Sequence, residues 1–368
     1  MGSEETGHQK IRERIGGDPH VVESDFWSPA EGGRVRCEVC PRRCRLRDGQ
    51  RGLCFVRAAR EGKVVLTSYG RATGLSVDPI EKKPLYHFLP GTDVLSFGTA
   101  GCNLTCRYCQ NWHLSRAERT DIAADLAEPE EVARLAVSLG TPSVAFTYND
   151  PVVFLEYAVD TAIACRAKGI RPVAVTAGYV RRAARAELLG AMDAVNIDLK
   201  AFSEDFYRRF TGGHLGTVLE TIEYVHNETN AWLELTNLLI PGENDSDEAI
   251  ESLVRWVVNH VGVDVPVHFS AFFPSFKMLD YPSTQPSRLS HARRIAMDHG
   301  VRYAYTGNVP DRAGSETLCH GCGALLVRRS GFRSMKLGLG RDGQCTACGT
   351  VIPGVFSAVD IPGSSLPR

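Results

Sequence analysis

The sequence predicts an α/β fold: an incomplete (β/α) barrel flanked by two small cysteine-rich segments. Three observations carry that expectation. Seven short apolar runs alternate with helical patterns between Val94 and Tyr305, the links between them are short, and no G-x-G-x-x-G run lies in that interval. Strand–helix alternation with short links implies parallel strands joined by right-handed crossovers. Without the dinucleotide fingerprint, a flat doubly wound sheet is the weaker layout.

Residues 1–30 are polar and aperiodic apart from Val21, Val22 and Phe26-Trp27, and read as a loose tail that docks through those apolar side chains. The first ten residues hold no apolar h-region, so no signal peptide is expected. Residues 31–80 contain Cys37, Cys40, Cys44 and Cys54, interrupted by Pro41, Gly49 and Gly52. Four thiolates fill a coordination shell, so a structural metal site is expected. Zinc is the first choice and a second Fe–S cluster the alternative, which spacing alone does not separate. The arginines between Cys40 and Cys54 read as a solvated surface. A short strand over Lys63–Ser68 follows.

Barrel strands are expected over Val94–Phe97, Ser143–Thr147, Pro172–Thr176, Ala194–Ile197, Ala231–Leu238, Pro266–Phe269 and Arg302–Tyr305. The stretch from Glu128 to Leu139 carries Pro and acidic residues in its first turn and stops at Gly140, as a helix should. Val152–Ala167 before Gly169, and Ala249–His260 before Gly262, follow the same rule.

The last segment, 313–368, holds Cys319-His-Gly-Cys322 and Cys345-Thr-Ala-Cys348 around one strand-and-turn stretch, Leu325–Gly331. Two CxxC knuckles are zinc-ribbon spacing, so Cys319, Cys322, Cys345 and Cys348 are expected to bind zinc. His320 reads as a spare surface residue.

The centre of the chain is Gly98-Thr-Ala-Gly101-Cys102-Asn-Leu-Thr-Cys106-Arg-Tyr108-Cys109, a C-x3-C-x2-C loop directly after an apolar run. Three thiolates can ligate three irons of a [4Fe–4S] cubane, which normally takes four cysteines. No fourth cysteine is near in sequence, so one iron stays open, the mark of a catalytic centre. A zinc site or three buried thiols is the plainer alternative, but x3 then x2 with Tyr108 is far more specific than a lone CxxC.

This loop resembles that of the radical S-adenosylmethionine (SAM) enzymes. The wider string, Glu81-Lys-Lys-Pro-Leu-Tyr-His-Phe-Leu-Pro-Gly91 with the cysteine loop and Gln110-Asn111-Trp112, is similar to the radical SAM member of the AmmeMemoRadiSam system, a relative of pyruvate formate-lyase activating enzymes. The resemblance runs from about Cys37 to Gly354. It implies a partial (β/α)6-type, TIM-like barrel over residues 81–312. The cofactors it implies are a [4Fe–4S] cluster on Cys102, Cys106 and Cys109, with SAM on the open iron. Reductive cleavage of SAM to a 5′-deoxyadenosyl radical, and hydrogen abstraction from a substrate in the manner of an activase, is the implied activity. It also implies an external one-electron donor, and AMMECR-type and Memo-like proteins as partner or target.

Polar groups recur where the expected strands end, which is where barrel chemistry gathers. They are Tyr148-Asn149-Asp150, Thr176, Asp198 with Lys200, and His268. Tyr148-Asn149-Asp150 resembles the family segment that holds the SAM amino group, although the usual pattern has Glu where this chain has Asp150. Asp198 can accept from ribose hydroxyls or the ammonium, and Lys200 can pair with the SAM carboxylate. Tyr108 and the backbone around Trp112 are expected to border adenine, with core packing the alternative for Trp112, and His268 reads either as orienting substrate or as a satisfied core histidine. Phe272–Met278 resembles a loop at the barrel mouth.

Composition narrows the rest. The net charge is −1 and 43% of residues are hydrophobic, which gives no support for broad nucleic-acid binding. No run approaches the roughly 18 apolar residues of a membrane span. Eleven of the 12 cysteines fall in metal-ligand spacing, which points to reduced thiols and a cytoplasmic chain rather than a disulfide framework. Two other functions fit less well. One is a non-catalytic metal-binding scaffold or adaptor. The other is a radical SAM methyl or thio transferase, for which Cys165 is the only free thiol.

Overall fold

The computed structural model describes residues 12–117 and 124–357. Seven parallel strands form its centre: β1 (Asp93–Gly98), β2 (Ser143–Phe146), β3 (Arg171–Thr176), β4 (Ala194–Asp198), β5 (Trp232–Leu239), β6 (Val267–Ala271) and β7 (Ala304–Gly307). They hydrogen-bond in chain order from β1 to β7. Six long helices separate them in turn: α1 (Pro129–Leu139), α2 (Leu155–Arg166), α3 (Arg182–Gly190), α4 (Leu215–Glu228), α5 (Asp247–His260) and α6 (Pro286–Asp298). This is the expected partial (β/α)6-type barrel. Among the described residues β7 pairs only with β6, so the barrel stays open on that side.

Local chemistry explains the elements. The strands are short apolar runs buried on both faces, as parallel strands under helices must be. A capping box between Glu128 and Glu131 starts α1, and Gly140 ends it with φ 68. Ser246 caps α5 by accepting from the Ala249 amide.

Two strands of the same sheet had no sequence signal. Arg71–Pro79 pairs antiparallel with β1, and Ala124–Leu126 pairs antiparallel with Arg71–Pro79. The longer one mixes polar and apolar residues and has half-exposed positions, so no apolar run marks it. It also moves the expected boundary at residue 80, because 71–79 belongs to the barrel sheet.

The string Glu81–Gly91 lies along the inner face of the open barrel. Asn196 on β4 donates to the Pro84 carbonyl over 2.8 Å. Glu234 on β5 accepts from the amides of Tyr86 and His87 at 3.0 and 2.7 Å. Ile80, Leu85, Phe88 and Leu89 pack on Val94, Ala145, Val173 and Ala194 to form a separate small core. That plug fills the lower part of the inner face and leaves free space at the C-terminal ends of the strands.

The expectation of a loose tail over 1–30 is corrected for the residues described. Val22–Glu23 pairs with Lys63–Leu66, and Trp27–Ala30 pairs with Arg34–Cys37. Val21 and Val22 are buried, and Arg12 pairs with Asp160 on α2 at 2.6 Å. Residues 1–11 lie outside the described residues. This segment explains α2, which is buried nearly all round. Its outer side is covered, and Arg57 grips Glu156 through two hydrogen bonds of 2.9 and 2.7 Å.

At the other end, Thr317–Leu318, Leu325–Ser330 and Arg333–Lys336 form a three-stranded antiparallel sheet. Val355 bridges to Phe88 on the plug, and Arg329 donates to the Tyr86 carbonyl at 2.7 Å. The C-terminal segment is therefore fastened to the barrel interior. No helix among the described residues is long and apolar enough to cross a membrane.

Candidate active site

The loop after β1 is held in place by atoms that leave its thiols free. At Gly98 a Cβ would meet the Thr147 carbonyl at 2.4 Å, and at Gly101, with φ +82, it would meet the Cys54 carbonyl at 1.9 Å. Only glycine fits at either position. Asn149 then pins the loop: its Oδ1 accepts from the Thr99 amide at 3.0 Å and its Nδ2 donates to the Gly101 carbonyl at 2.7 Å. Asn103 donates to the Tyr179 carbonyl at 2.8 Å, Thr105 to the Thr211 carbonyl at 2.7 Å and Ser275 to the Cys109 carbonyl at 3.1 Å.

Cys102, Cys106 and Cys109 open onto a cavity of about 1390 Å³ at the C-terminal ends of the strands. Eight residues singled out for the cofactor line the same cavity: Tyr108, Tyr148, Asn149, Asp150, Thr176, Asp198, Lys200 and His268. The tertiary structure thus gathers them, but it gives several of them work within the protein.

The Asn149 carboxamide is committed to the cysteine loop. Asp150 is buried and accepts from the Val152 amide, the Thr176 hydroxyl and the Ala177 amide at 3.1, 2.8 and 3.0 Å. Burial pushes its carboxyl up, against those donors. Tyr148 sits at φ 70 and points its hydroxyl at Asp78 over 3.0 Å, with Lys83 4.8 Å from its ring centre. His268 bonds Glu234 at 2.6 Å and stacks on Tyr305. These four side chains build the wall. Trp112 is not among the lining residues and stacks on Phe276 with ring centres 5.3 Å apart.

The free polar groups lie beside the thiols. Lys200 Nζ is 2.9 Å from Asp198 Oδ2. Strand β4 ends at Asp198, so Lys200 meets it from the following loop, where the Lys200 amide donates to the Tyr207 hydroxyl at 3.1 Å. Burial works against the Lys200 ammonium, yet Asp198 and the nearby phenol and thiol hold its pKa well above the usual lysine range. Burial pushes the Cys106 thiol up to about 11, and the Lys200 charge pulls it back. Tyr108 is buried with no partner for its hydroxyl.

Sequence reasoning missed three parts of the cavity wall, one of them the end of β7 with the loop that follows it, 306–312. Glu81, Lys82 and Lys83 come from the plug, and Arg328–Phe332 come from the C-terminal hairpin. The motif Glu81–Gly91 was visible, but nothing in it tells that it turns inward. The strand and turn of the hairpin were visible in the sequence, but its cavity role was not, because that role comes from docking.

The two outer cysteine sets differ in geometry. In the C-terminal set, Cys319 Sγ lies 3.7 Å from Cys348 Sγ, and Cys322 Sγ lies 3.7 Å from Cys345 Sγ. All four sulfurs are within 4.8 Å of one another, so this set could hold one metal ion. His320 is outside it and is not spare: it bonds the Tyr303 hydroxyl at 2.7 Å and ties the knuckle to the barrel. Cys37, Cys40, Cys44 and Cys54 surround a small separate cavity. Cys165 is fully buried in α2 and belongs to the core.

Comparison with known proteins agrees with the geometry. Residues 97–255 match the radical SAM superfamily. An uncharacterised protein of Methanocaldococcus jannaschii is 37% identical over 333 residues, covering 90% of this chain and 98% of its own. A GTP 3′,8-cyclase of Lactiplantibacillus plantarum is 24% identical over 64% of this chain and 75% of its own. A putative glycyl-radical enzyme activating enzyme of M. jannaschii is 24% identical over 56% of this chain and 78% of its own. The chain belongs to the radical SAM superfamily and is an enzyme. The site fits the cluster and SAM that this family implies. Three thiols of one loop face a large cavity with no fourth cysteine in its lining, and a charged pair and an orphaned buried phenol stand beside them.

Proposed function

We propose that this enzyme generates a radical from SAM and abstracts hydrogen from a protein substrate, as an activase of the AmmeMemoRadiSam type. The observation that carries the reading is the meeting of three loop thiols with the Asp198–Lys200 pair in one cavity. Cys102, Cys106 and Cys109 would hold a [4Fe–4S] cluster with an iron left open for SAM, and that cluster would supply the electron for reductive cleavage of SAM. The protein's own part is binding and shielding. Lys200 offers a cation for the SAM carboxylate, Asp198 an acceptor for its ammonium or ribose, and Tyr108 a hydroxyl at the cavity wall. Asn149, Asp150, Thr176 and His268 keep that wall rigid.

The cavity exceeds the roughly 300–1000 Å³ of an ordinary small-molecule site. Exposed Phe273 and Phe332 line it, which suits entry of a peptide segment. AMMECR-type and Memo-like proteins are the partners or targets we put forward, with an external one-electron donor. We assign zinc to Cys319, Cys322, Cys345 and Cys348. The density of metal-spaced cysteines favours a reducing compartment, hence the cytoplasm. A methyl transferase using Cys165 finds no support, since that thiol does not line the cavity.

Anaerobically reconstituted protein, reduced with dithionite, should convert SAM to methionine and 5′-deoxyadenosine, and Cys106→Ala should abolish this. Undiminished turnover in Cys106→Ala would refute the proposal.

A further inference from the structure

We propose that Cys37, Cys40, Cys44 and Cys54 bind a second [4Fe–4S] cluster, set directly against the loop that carries the first. Nothing in the family match covers these residues, since it begins at residue 97.

The sulfur spacing separates a cluster from a single ion. Tetrahedral zinc with bonds of about 2.3 Å brings its thiolates to roughly 3.8 Å from one another. The C-terminal set shows that spacing, at 3.7 Å. Among the described residues it is the single group of three or more metal-binding side chains whose ligand atoms all lie within 4.8 Å of one another. The N-terminal thiols are four in number and line one cavity, yet no three of their sulfurs all lie within 4.8 Å of one another. The sulfurs of Cys102, Cys106 and Cys109 likewise do not all lie within 4.8 Å of one another. Four thiolates held apart around a common space suit a body larger than one ion.

The walls agree. Val39, Leu53, Val152 and Val153 keep the space apolar. Arg57 lines the cavity with its Nε buried and without a partner, although its other two nitrogens are bound to Glu156 and Ser24. A cubane presents sulfides that can accept such a hydrogen bond.

The position suggests a redox role. The Cys54 carbonyl packs on Gly101, the residue before Cys102. Arg42 Nε bonds the Asn103 carbonyl at 3.0 Å, and Asn103 itself lines the N-terminal cavity. The two cysteine sets are thus neighbours through one layer of backbone. An electron lost by the N-terminal cluster is the electron gained by the loop centre, and a low-potential one-electron donor restores it. This last step rests on the radical SAM reading; the presence of the second cluster does not.

The test uses the full chain and two variants, each reconstituted anaerobically with iron and sulfide. The full chain should hold about eight irons and about one zinc. The loop variant Cys102→Ala/Cys106→Ala/Cys109→Ala should keep about four irons, and so should Cys37→Ala/Cys40→Ala. A full chain with about four irons and about two zincs overturns the proposal without either variant. If eight irons are present but no 5′-deoxyadenosine forms, the functional reading fails while the second cluster stands. The redox role is read by electron paramagnetic resonance of the dithionite-reduced proteins. The full chain should show magnetic coupling absent from both variants, and a spectrum equal to the sum of the two would refute that role.

Discussion

Asn149 Nδ2 donates to the Gly101 carbonyl over 2.7 Å, while Oδ1 of the same side chain accepts from the Thr99 amide. One carboxamide from the end of β2 therefore sets the cysteine loop at the end of β1. Asn149→Ala would leave a buried amide and a buried carbonyl unpaired, at a cost of about 1–3 kcal/mol. The melting temperature should fall, and reconstituted iron at the loop should fall with it. Normal iron content at unchanged stability would contradict this role.

The Asp198–Lys200 pair is expected to act on SAM rather than on the cluster. Lys200→Met removes a cation from beside the thiols without touching a ligand. Loss of one charge-assisted contact is worth about 1.5–3 kcal/mol, or roughly ten- to a hundredfold in affinity. Equilibrium SAM binding should weaken by that amount while iron content holds. Equal affinity in the variant would remove Lys200 from the site.

His87 predicts a pH dependence. Its Nδ1 faces the Pro353 carbonyl at 2.7 Å, so that nitrogen carries the proton, and Nε2 accepts from the Tyr305 hydroxyl at 2.6 Å. Burial pushes its pKa from 6.5 down to about 4, against the pull of Glu234. The unfolded chain thus binds a proton between those values that the folded chain refuses. Stability is whole above pH 6.5 and is lost as pH falls towards 4, by up to about 3 kcal/mol from this group. Urea unfolding at pH 7 and pH 4.5 should show the drop, and His87→Gln should reduce it. An identical drop in the variant would exclude His87 as its source.

The metal at the C-terminal knuckles should hold the hairpin that walls the cavity. Cys345→Ser should lose about one zinc per chain and expose the hairpin Leu325–Lys336 to limited proteolysis. Iron at the loop should be unaffected, because no loop thiol belongs to that set. Unchanged zinc content would place the metal elsewhere.

The barrel was legible because its signals are local. Apolar runs of strand length, Gly140 and Gly169 as stops, and Pro129 in a first turn each act within a few residues. The positions of the strand-end polar groups were legible for the same reason: eight residues expected around the cofactor line the cavity, while Trp112 does not. Their individual tasks were not legible. Asn149 and Asp150 sit next to each other in the chain, yet one holds the cysteine loop and the other the end of β3.

By itself the sequence determined the open (β/α) layout, the three cysteine sets and the radical SAM superfamily, because periodicity and ligand spacing are properties of short stretches. The tertiary structure alone decided which groups remain free beside the thiols, that Glu81–Gly91 turns inward, and that the C-terminal hairpin walls the cavity. Those outcomes depend on hydrogen-bond partners that lie far apart in the chain, such as Tyr86 with Glu234 and Arg329. A donor buried by folding must find whatever acceptor the fold brings to it, and no local pattern names that acceptor in advance.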